Sequence, residues 1–386
     1  MKDTVFQEIL KPISSDLISK SVKIFNSDYD YEKFKTYEHL QTMIYVHLNQ
    51  MSSLRTLEVA INNQELGFST KVCRSTLSDA NKKRKADCFL WILEELLALL
   101  PKKQKNEFSK IVRVLDSSPI QLKGYGYEWA KQHATHRCEG LKLHVEYDLG
   151  LGCPTRVQLS FPNFNDSSMG KKWPIEENII YVFDKGYYDY DWWWSINEKN
   201  AHFVSRLKIN AAIQIQQPLE IKANSDILED GLFRFSNPRP RGGKKNLYTS
   251  LVRRISVKRE GKKPLILVTN LLHEPAEMIA QLYKSRWEIE LFFKWIKQRL
   301  KIKKFLGKSE NAVKIQLITA IIAYILVFLF KNNHIQFWPL YLLLIWLKAN
   351  LDKPLLLALS NLYTQSRPPG ITTNIPLQEV PAFTGQ

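Results

Sequence analysis

The chain has 386 residues, and its 55 Lys and Arg against 38 Asp and Glu leave a formal net charge of +17. A surplus that large points to a polyanionic partner, most simply nucleic acid, against the alternative of a soluble protein that is merely basic. With 45% hydrophobic residues the chain can build two or three packed domains, and its four cysteines, none in a CxxC pair, exclude a zinc ribbon or a redox motif.

Residues 1–105 read as helical. Leu40, Met43, Ile44 and His47 recur at helical spacing, and Phe89 to Leu100 forms a strongly apolar helix. Between them, Ser75 or Ser78 is placed to cap a short helix whose next turn carries Lys82, Lys83, Arg84 and Lys85. Small polar side chains followed by basic ones suit a DNA groove, where hydroxyls read base edges and lysines hold phosphates. A solvated basic helix end is the competing reading. The opening segment MKDTVFQEIL is too polar for a secretory signal, so a reduced, cytoplasmic setting is expected.

Pro101 to Asn106 reads as a linker, after which the pattern changes to strands. Ile111 to Asp116 and Ile179 to Asp184 are apolar, β-branched runs that each end on an acid, and Leu141 to Leu149 and Thr155 to Leu159 are strand candidates between them. Residues 106–208 therefore suit a mixed α/β sheet. Residues 209–265 read as a β-rich insertion holding the turn-rich basic loop Asn237 to Lys245. In residues 266–364 a long helix runs from after Pro275 to about Leu300 and further helices follow. Residues 365–386, with four prolines, read as a disordered tail. Leu317 to Phe330 and Phe337 to Leu347 are apolar but shorter than the roughly 20 residues of a membrane span, so both are expected as buried helices, with no membrane contact.

Two acids at the ends of neighbouring apolar strands are held at the rim of a sheet, where they can share a divalent cation. A pair of magnesium ions about 4 Å apart can activate a water or a 3′-hydroxyl and stabilise the leaving oxygen. Singly, each Asp also reads as a turn or cap residue. After Asp184, Gly186 permits the tight turn that leaves the acid facing a ligand. On a wheel of about 100° per residue, Tyr283, Arg286, Glu290, Lys294 and Lys297 fall within about 80° of one another, apart from a buried stripe of Leu282, Ile289, Phe292, Phe293, Ile296 and Leu300. The competing reading of that face is a solvated row of ion pairs such as Glu290 with Lys294. His133 and His136 lack the Cys or acid that would complete a zinc set, and Ser117 and Ser118 lie in no GxSxG elbow.

The spacing of Tyr283, Arg286, Glu290 and Lys297 resembles the Tyr-Arg-Glu-Lys signature of one family of bacterial insertion-sequence transposases with a DDE site. The Asp184-x-Gly186-Tyr187 turn and the Gly140-Leu-Lys-Leu-His144 strand are similar to that family too, over residues 110 to 330, and the N-terminal part resembles the helical region of one of its branches. The resemblance implies an α/β fold: an RNase H-like catalytic core interrupted by a β-rich insertion, with an N-terminal helical DNA-binding domain. It implies that Asp116, Asp184 and Glu290 are catalytic and hold Mg²⁺ (Mn²⁺ able to substitute). By the same resemblance Tyr283, Arg286 and Lys297 grip DNA phosphates, with Lys294 beside them.

The expected activity is transposition: binding the terminal inverted repeats of double-stranded DNA, cutting, and joining the 3′-hydroxyl to target DNA, as a homodimer in the synaptic complex. Two rivals remain: an inactive, transposase-derived DNA-binding regulator, and a nuclease on the same core. Family members flip a base onto an aromatic shelf of the insertion. Here no Trp lies between Lys208 and Ser285, and Phe233, Phe235 and Tyr248, the candidates, read sooner as core than as that shelf. Two further basic groups, Lys301, Lys303, Lys304 and Lys308, and Arg239, Arg241, Lys244, Lys245, Arg253 and Arg254, are expected as nonspecific phosphate contacts or as solvated surface.

Overall fold

Six helices open the chain: α1 (Val5–Leu10), α2 (Ser15–Phe25), α3 (Thr36–Leu48), α4 (Leu54–Asn62), α5 (Arg74–Lys83) and α6 (Ala86–Ala98). The computed structural model describes residues 3–62, 68, 71–100, 109–136, 138–237, 246–299 and 304–364. The expected linker at 101–106, most of the basic loop at 237–245 and the tail from 365 lie outside them. Sequence cues start the first helices: Thr4 and Gln7 form a reciprocal capping box, and Ser14 Oγ accepts from the Leu17 N–H. The short basic helix begins after Cys73, not after Ser75 or Ser78, and no side chain caps its backbone. Leu77 and Ala80 bury its inner face, which draws one more turn into the helix than its polar residues suggest.

These helices gather around a single element from far along the chain, α12 (Glu310–His334). It is buried along nearly its whole length, and α3, α5 and α6 pack against it. By length and composition α12 could cross a bilayer, but 89% of its apolar window is buried inside the protein. It runs on through Lys331 to His334, where a break was expected, because Asn332 and Asn333 face water at its end. Asn311, in its first turn, donates to the carbonyls of Asn81 and Arg84 and accepts from the Ala86 N–H. One amide thus closes the end of α5 and ties it to α12.

The rest of the chain builds one nine-stranded sheet. In chain order it holds β1 (Ile111–Gln121), α7 (Glu128–Lys131), β2 (Gly140–Asp148), β3 (Cys153–Ser160), α8 (Asp166–Lys172), β4 (Ile179–Phe183), α9 (Tyr190–Glu198), β5 (His202–Arg206), β6 (Ile213–Pro218), β7 (Ile227–Phe235), β8 (Val252–Val257) and β9 (Leu265–Thr269). The spatial order is β3-β2-β1-β4-β5-β9-β8-β7-β6. The first three strands form an antiparallel meander, β4 and β5 run parallel to β1, and β9 to β6 return antiparallel. The strands expected as a separate insertion continue the same sheet through the β5–β9 pairing.

Alternation along each strand sorts side chains to two faces. Val112, Val114, Ile180 and Val182 join the core shared with the helices α10 (Ala276–Lys284) and α11 (Trp287–Arg299), while Leu115, Ile179, Tyr181 and Phe183 join an aromatic core under α9. Phe233 and Tyr248 are buried in that second core and Phe235 packs against it beside Tyr190. The candidate stacking aromatics of the insertion are thus core residues. Two helices close the described chain, α13 (Leu340–Lys348) and α14 (Leu355–Thr364).

The long helix expected from Pro275 to Leu300 is two helices, broken at Ser285 and Arg286. Ser285 Oγ donates back to the Leu282 carbonyl, and the N–H groups of Arg286, Glu288 and Ile289 bond three residues back instead of four. The tighter turn redirects the chain just before Glu290.

Candidate active site

Asp116 does not end its strand, as its apolar run suggests; β1 continues to Gln121 on its pairing with β2 alone. The parallel ladder with β4 stops one residue earlier, at Leu115 opposite Phe183. Asp116 and Asp184 are therefore the next pair beyond the ladder. By alternation both carboxylates share the face of Val114 and Val182, the face that α11 covers. Asp184 stays at the rim because its Oδ1 accepts from the Gly186 N–H at 2.7 Å, opening the 3₁₀ turn Lys185–Tyr187. A Cβ on Gly186 would lie 2.8 Å from that oxygen, so a larger residue there displaces the Asp184 carboxylate.

Glu290 comes to this face from the first turns of α11, through Arg286. The guanidinium donates Nη1 to Asp116 Oδ2 at 2.8 Å and Nη2 to Glu290 Oε1, so one cation bridges two of the three acids. Among the described residues its Nε is buried without a hydrogen-bond partner. Burial pushes the Asp116 carboxyl up to about 7; the bond from its neighbour's N–H and the Arg286 charge pull it down, and the charges of Asp184 and Glu290 push it up again. Lys297 Nζ donates to Ser118 Oγ at 2.7 Å, on the same face as Asp116. Lys294 is exposed. Tyr283 is only 8% exposed, and burial raises its phenol above the ordinary value; the helix break sets it beneath the site beside Arg286, not in a row with Glu290 and Lys297.

Among the described residues, three other arginines that the sequence singles out are engaged elsewhere. Arg84 is buried among the N-terminal helices, donating to the carbonyls of Ser27 and Phe34 and to His39 Nδ1, so it cannot hold a phosphate. Arg253 is buried in a two-pronged pair with Asp230 and donates to the carbonyls of Leu272 and Glu274, and Arg254 pairs with Glu229. Lys304 and Lys308 are exposed; Lys301, Lys303, Arg239, Arg241, Lys244 and Lys245 lie outside the described residues. His133 stacks on Phe161, with ring centroids 4.0 Å apart.

Two features escaped the sequence, and a third, the polar and basic face of α5, was read there in part. Trp287, directly after Arg286, is 57% exposed, an aromatic surface beside the site. Asp166 accepts from Ser117 Oγ at 2.7 Å and Lys142 Nζ at 3.3 Å, with His144 Nδ1 at 3.6 Å. On α5, Arg74, Ser75, Ser78, Lys82 and Lys83 line an exposed face. Only the last had a local signal; Asp166 reads in sequence as an ordinary helix-start residue.

Among the described residues no three His, Cys, Asp or Glu side chains close into a ready ligand cluster, because Arg286 stands between Asp116 and Glu290. The donor set nevertheless fits a hard divalent cation in kind: carboxylate oxygens at a sheet rim, one of them held partly protonated by burial and neighbouring negative charge.

Residues 107–326 match the family model described as a transposase DDE domain, and residues 1–66 match one described as a domain of unknown function, DUF4372. The chain is 40% identical over 254 residues to y4zB of Sinorhizobium fredii, named as a transposase, covering 65% of this chain and 69% of that one. It is 27% identical over 338 residues to the protein named as the transposase of insertion sequence element IS5377 of Geobacillus stearothermophilus, covering 84% of each. In fold it is similar to the piggyBac transposase in its synaptic complex with hairpin DNA, with a TM-score of 0.54 and 10% identity over 99% of this chain and 87% of that one.

Proposed function

The chain belongs to the family of transposases with a DDE domain, and from that premise we propose that it cuts DNA at the terminal inverted repeats of its own element and joins the freed 3′-hydroxyls to target DNA. The observation that carries the reading is the placing of Asp116 and Asp184 as adjacent positions beyond one parallel ladder, on the face where α11 brings Glu290. The order β3-β2-β1-β4-β5, with β2 reversed, supports an RNase H-like core. On this reading β6 to β8 are an insertion that has fused to its edge, and the exposed Arg74, Ser75, Ser78 and Lys82 face of α5 contacts the element's ends.

Asp116, Asp184 and Glu290 would hold the divalent cation, magnesium with manganese able to substitute. Bound there, it supplies charge neutralisation for the attacking and leaving oxygens. Arg286 is the group that must move: its fork leaves Asp116 and Glu290 for a DNA phosphate, to which a guanidinium binds in the same two-pronged way. Its buried Nε–H gives it a further donor for that phosphate. Lys294 and Lys297 act as point charges along the same strand of DNA, and Tyr283 packs beneath Arg286 and limits its swing. Joining two ends requires two active sites, so a homodimer in the synaptic complex is part of the reading.

Purified protein, incubated with Mg²⁺ and DNA carrying the ends that flank its gene, tests it: new 3′-hydroxyls at the element's termini are expected, whereas binding without any cut under Mg²⁺ or Mn²⁺ would return the chain to the regulator reading. Lys297→Ala is expected to weaken end binding and lower the salt slope of log K by about one, since one phosphate contact is lost; an unchanged slope removes Lys297 from the grip. Gly186→Ala places a methyl against the Asp184 carboxylate and is expected to slow cleavage by about 10²-fold, the cost of shifting a reacting group by about 1 Å. The turn is exposed, so the melting temperature should hardly change; a wild-type cutting rate in this variant contradicts the placing of Asp184.

A further inference from the structure

Asp166 lies outside the three acids yet touches every segment that positions two of them. It is the first residue of α8, on the face of the sheet opposite α11. Its Oδ1 accepts from the hydroxyl of Ser117, the residue after Asp116, whose N–H donates to Asp116 Oδ1 at 2.7 Å. Its Oδ2 lies 3.2 Å from where a Gly186 Cβ would stand, with Asp184 Oδ1 at 2.8 Å from the same point. Asp166 is itself held from β2, by Lys142 Nζ and beside His144, two residues that face Pro119 and Ser117 across the β1–β2 ladder. One carboxylate is thus bonded to β1 just past Asp116 and to β2 beside it, and it lies against the turn that presents Asp184. Beyond Leu115 and Phe183 no ladder bond joins β1 to β4. The ladder thus stops one residue short of both acids, which leaves the groups around them a share in setting the spacing of Asp116 from Asp184.

We infer that Asp166 is a positioning residue that fixes the spacing of Asp116 and Asp184, and so the affinity of that pair for the divalent cation. The inference rests on the reading of those two acids as cation ligands. Asp166 acts through Ser117 and through its packing against the Gly186 turn, with Lys142 holding its carboxylate in place and His144 beside it. Partners of this kind, one step removed from a cation, typically change its affinity or the activity about 10–100-fold.

The test compares Asp166→Ala, Asp166→Glu and Ser117→Ala with wild type in full-length protein. Readouts are the cleavage rate at saturating end DNA, the affinity for end DNA in Ca²⁺, the Mg²⁺ concentration for half-maximal rate, Mn²⁺ binding by electron paramagnetic resonance, and the melting temperature. Asp166→Ala should slow cleavage and weaken Mn²⁺ binding about 10–100-fold, and raise the Mg²⁺ midpoint, with end affinity unchanged within about twofold. Asp166→Glu should restore part of the loss. Ser117→Ala, which cuts one of the same links without removing a charge, should reproduce part of it and guards against misfolding of the aspartate variant. Wild-type Mn²⁺ affinity and Mg²⁺ midpoint in both Asp166→Ala and Ser117→Ala overturn the inference. So does a loss of activity that merely tracks the folded fraction. If wild type never cuts, the transposase reading falls, and Mn²⁺ binding alone decides the role of Asp166.

Discussion

Asp184→Ala is expected to abolish cleavage at the element's ends, by on the order of 10³-fold or more, while leaving end binding nearly unchanged. The asymmetry follows from what Asp184 touches. Its carboxylate bonds only its own turn, through the Gly186 N–H, and neither Arg286 nor Lys297 depends on it. On the proposed reading, removing it costs the site a cation ligand but no group that reaches DNA. Phosphoryl transfer depends on neutralising charge at oxygens already in line, so losing a ligand acts on the chemical step more than on affinity. Single-turnover cleavage and filter binding in Ca²⁺ measure the two effects separately. Cleavage at a wild-type rate would sink the assignment of Asp184.

Arg84→Met is expected to unfold the N-terminal helices at a lower temperature, costing about 3–5 kcal/mol, the range for breaking a buried ion pair from one side. Arg84 is fully buried and serves Ser27 O at 3.1 Å, Phe34 O at 2.8 Å and His39 Nδ1 at 2.9 Å, with Asp28 at 3.5 Å. His39 passes the network on to Asn81 through Nε2, at 2.9 Å. Burial, with Arg84 beside it, pushes the His39 imidazole down to about 3, so the ring is neutral and Nδ1 can accept from the guanidinium. Methionine fills much of the volume but leaves two carbonyls and a ring nitrogen without their donor and the Asp28 carboxylate without its cation. A fall in melting temperature of roughly 5–15 °C should follow, together with weaker end binding, because Arg84 fixes the end of α5. A shift within about a degree would mean that water replaces the guanidinium without cost.

These two residues also mark how far the sequence could be read. β4 is legible because five consecutive buried residues, Ile179 to Phe183, leave no other structure for the run, and Asp184 follows it as expected. Asp116 was found for the same reason, but the strand beyond it was not: Ser117, Ser118 and Pro119 carry no strand propensity and are held by β2 alone. Glu290 and Arg286 stand out because four residues on a helix bring side chains together, and the structure pairs them although the helix breaks before them. Arg84 read as one more lysine-like surface charge; only the fold shows carbonyls of the loop between α2 and α3 closing on it. Arg253 misled in the same way, since its partner Asp230 lies on the neighbouring strand. Asp166 left no sequence signal, because its bonds reach Ser117 and Lys142, far away along the chain.

The joining step tests the central claim most directly. Wild type and Asp116→Ala would be given pre-cleaved end DNA with a free 3′-hydroxyl, a target plasmid and Mg²⁺. The account predicts covalent end-to-plasmid products with wild type alone, each joined through that 3′-hydroxyl. Joining of equal yield by Asp116→Ala, or ends bound by wild type yet never joined, would contradict it.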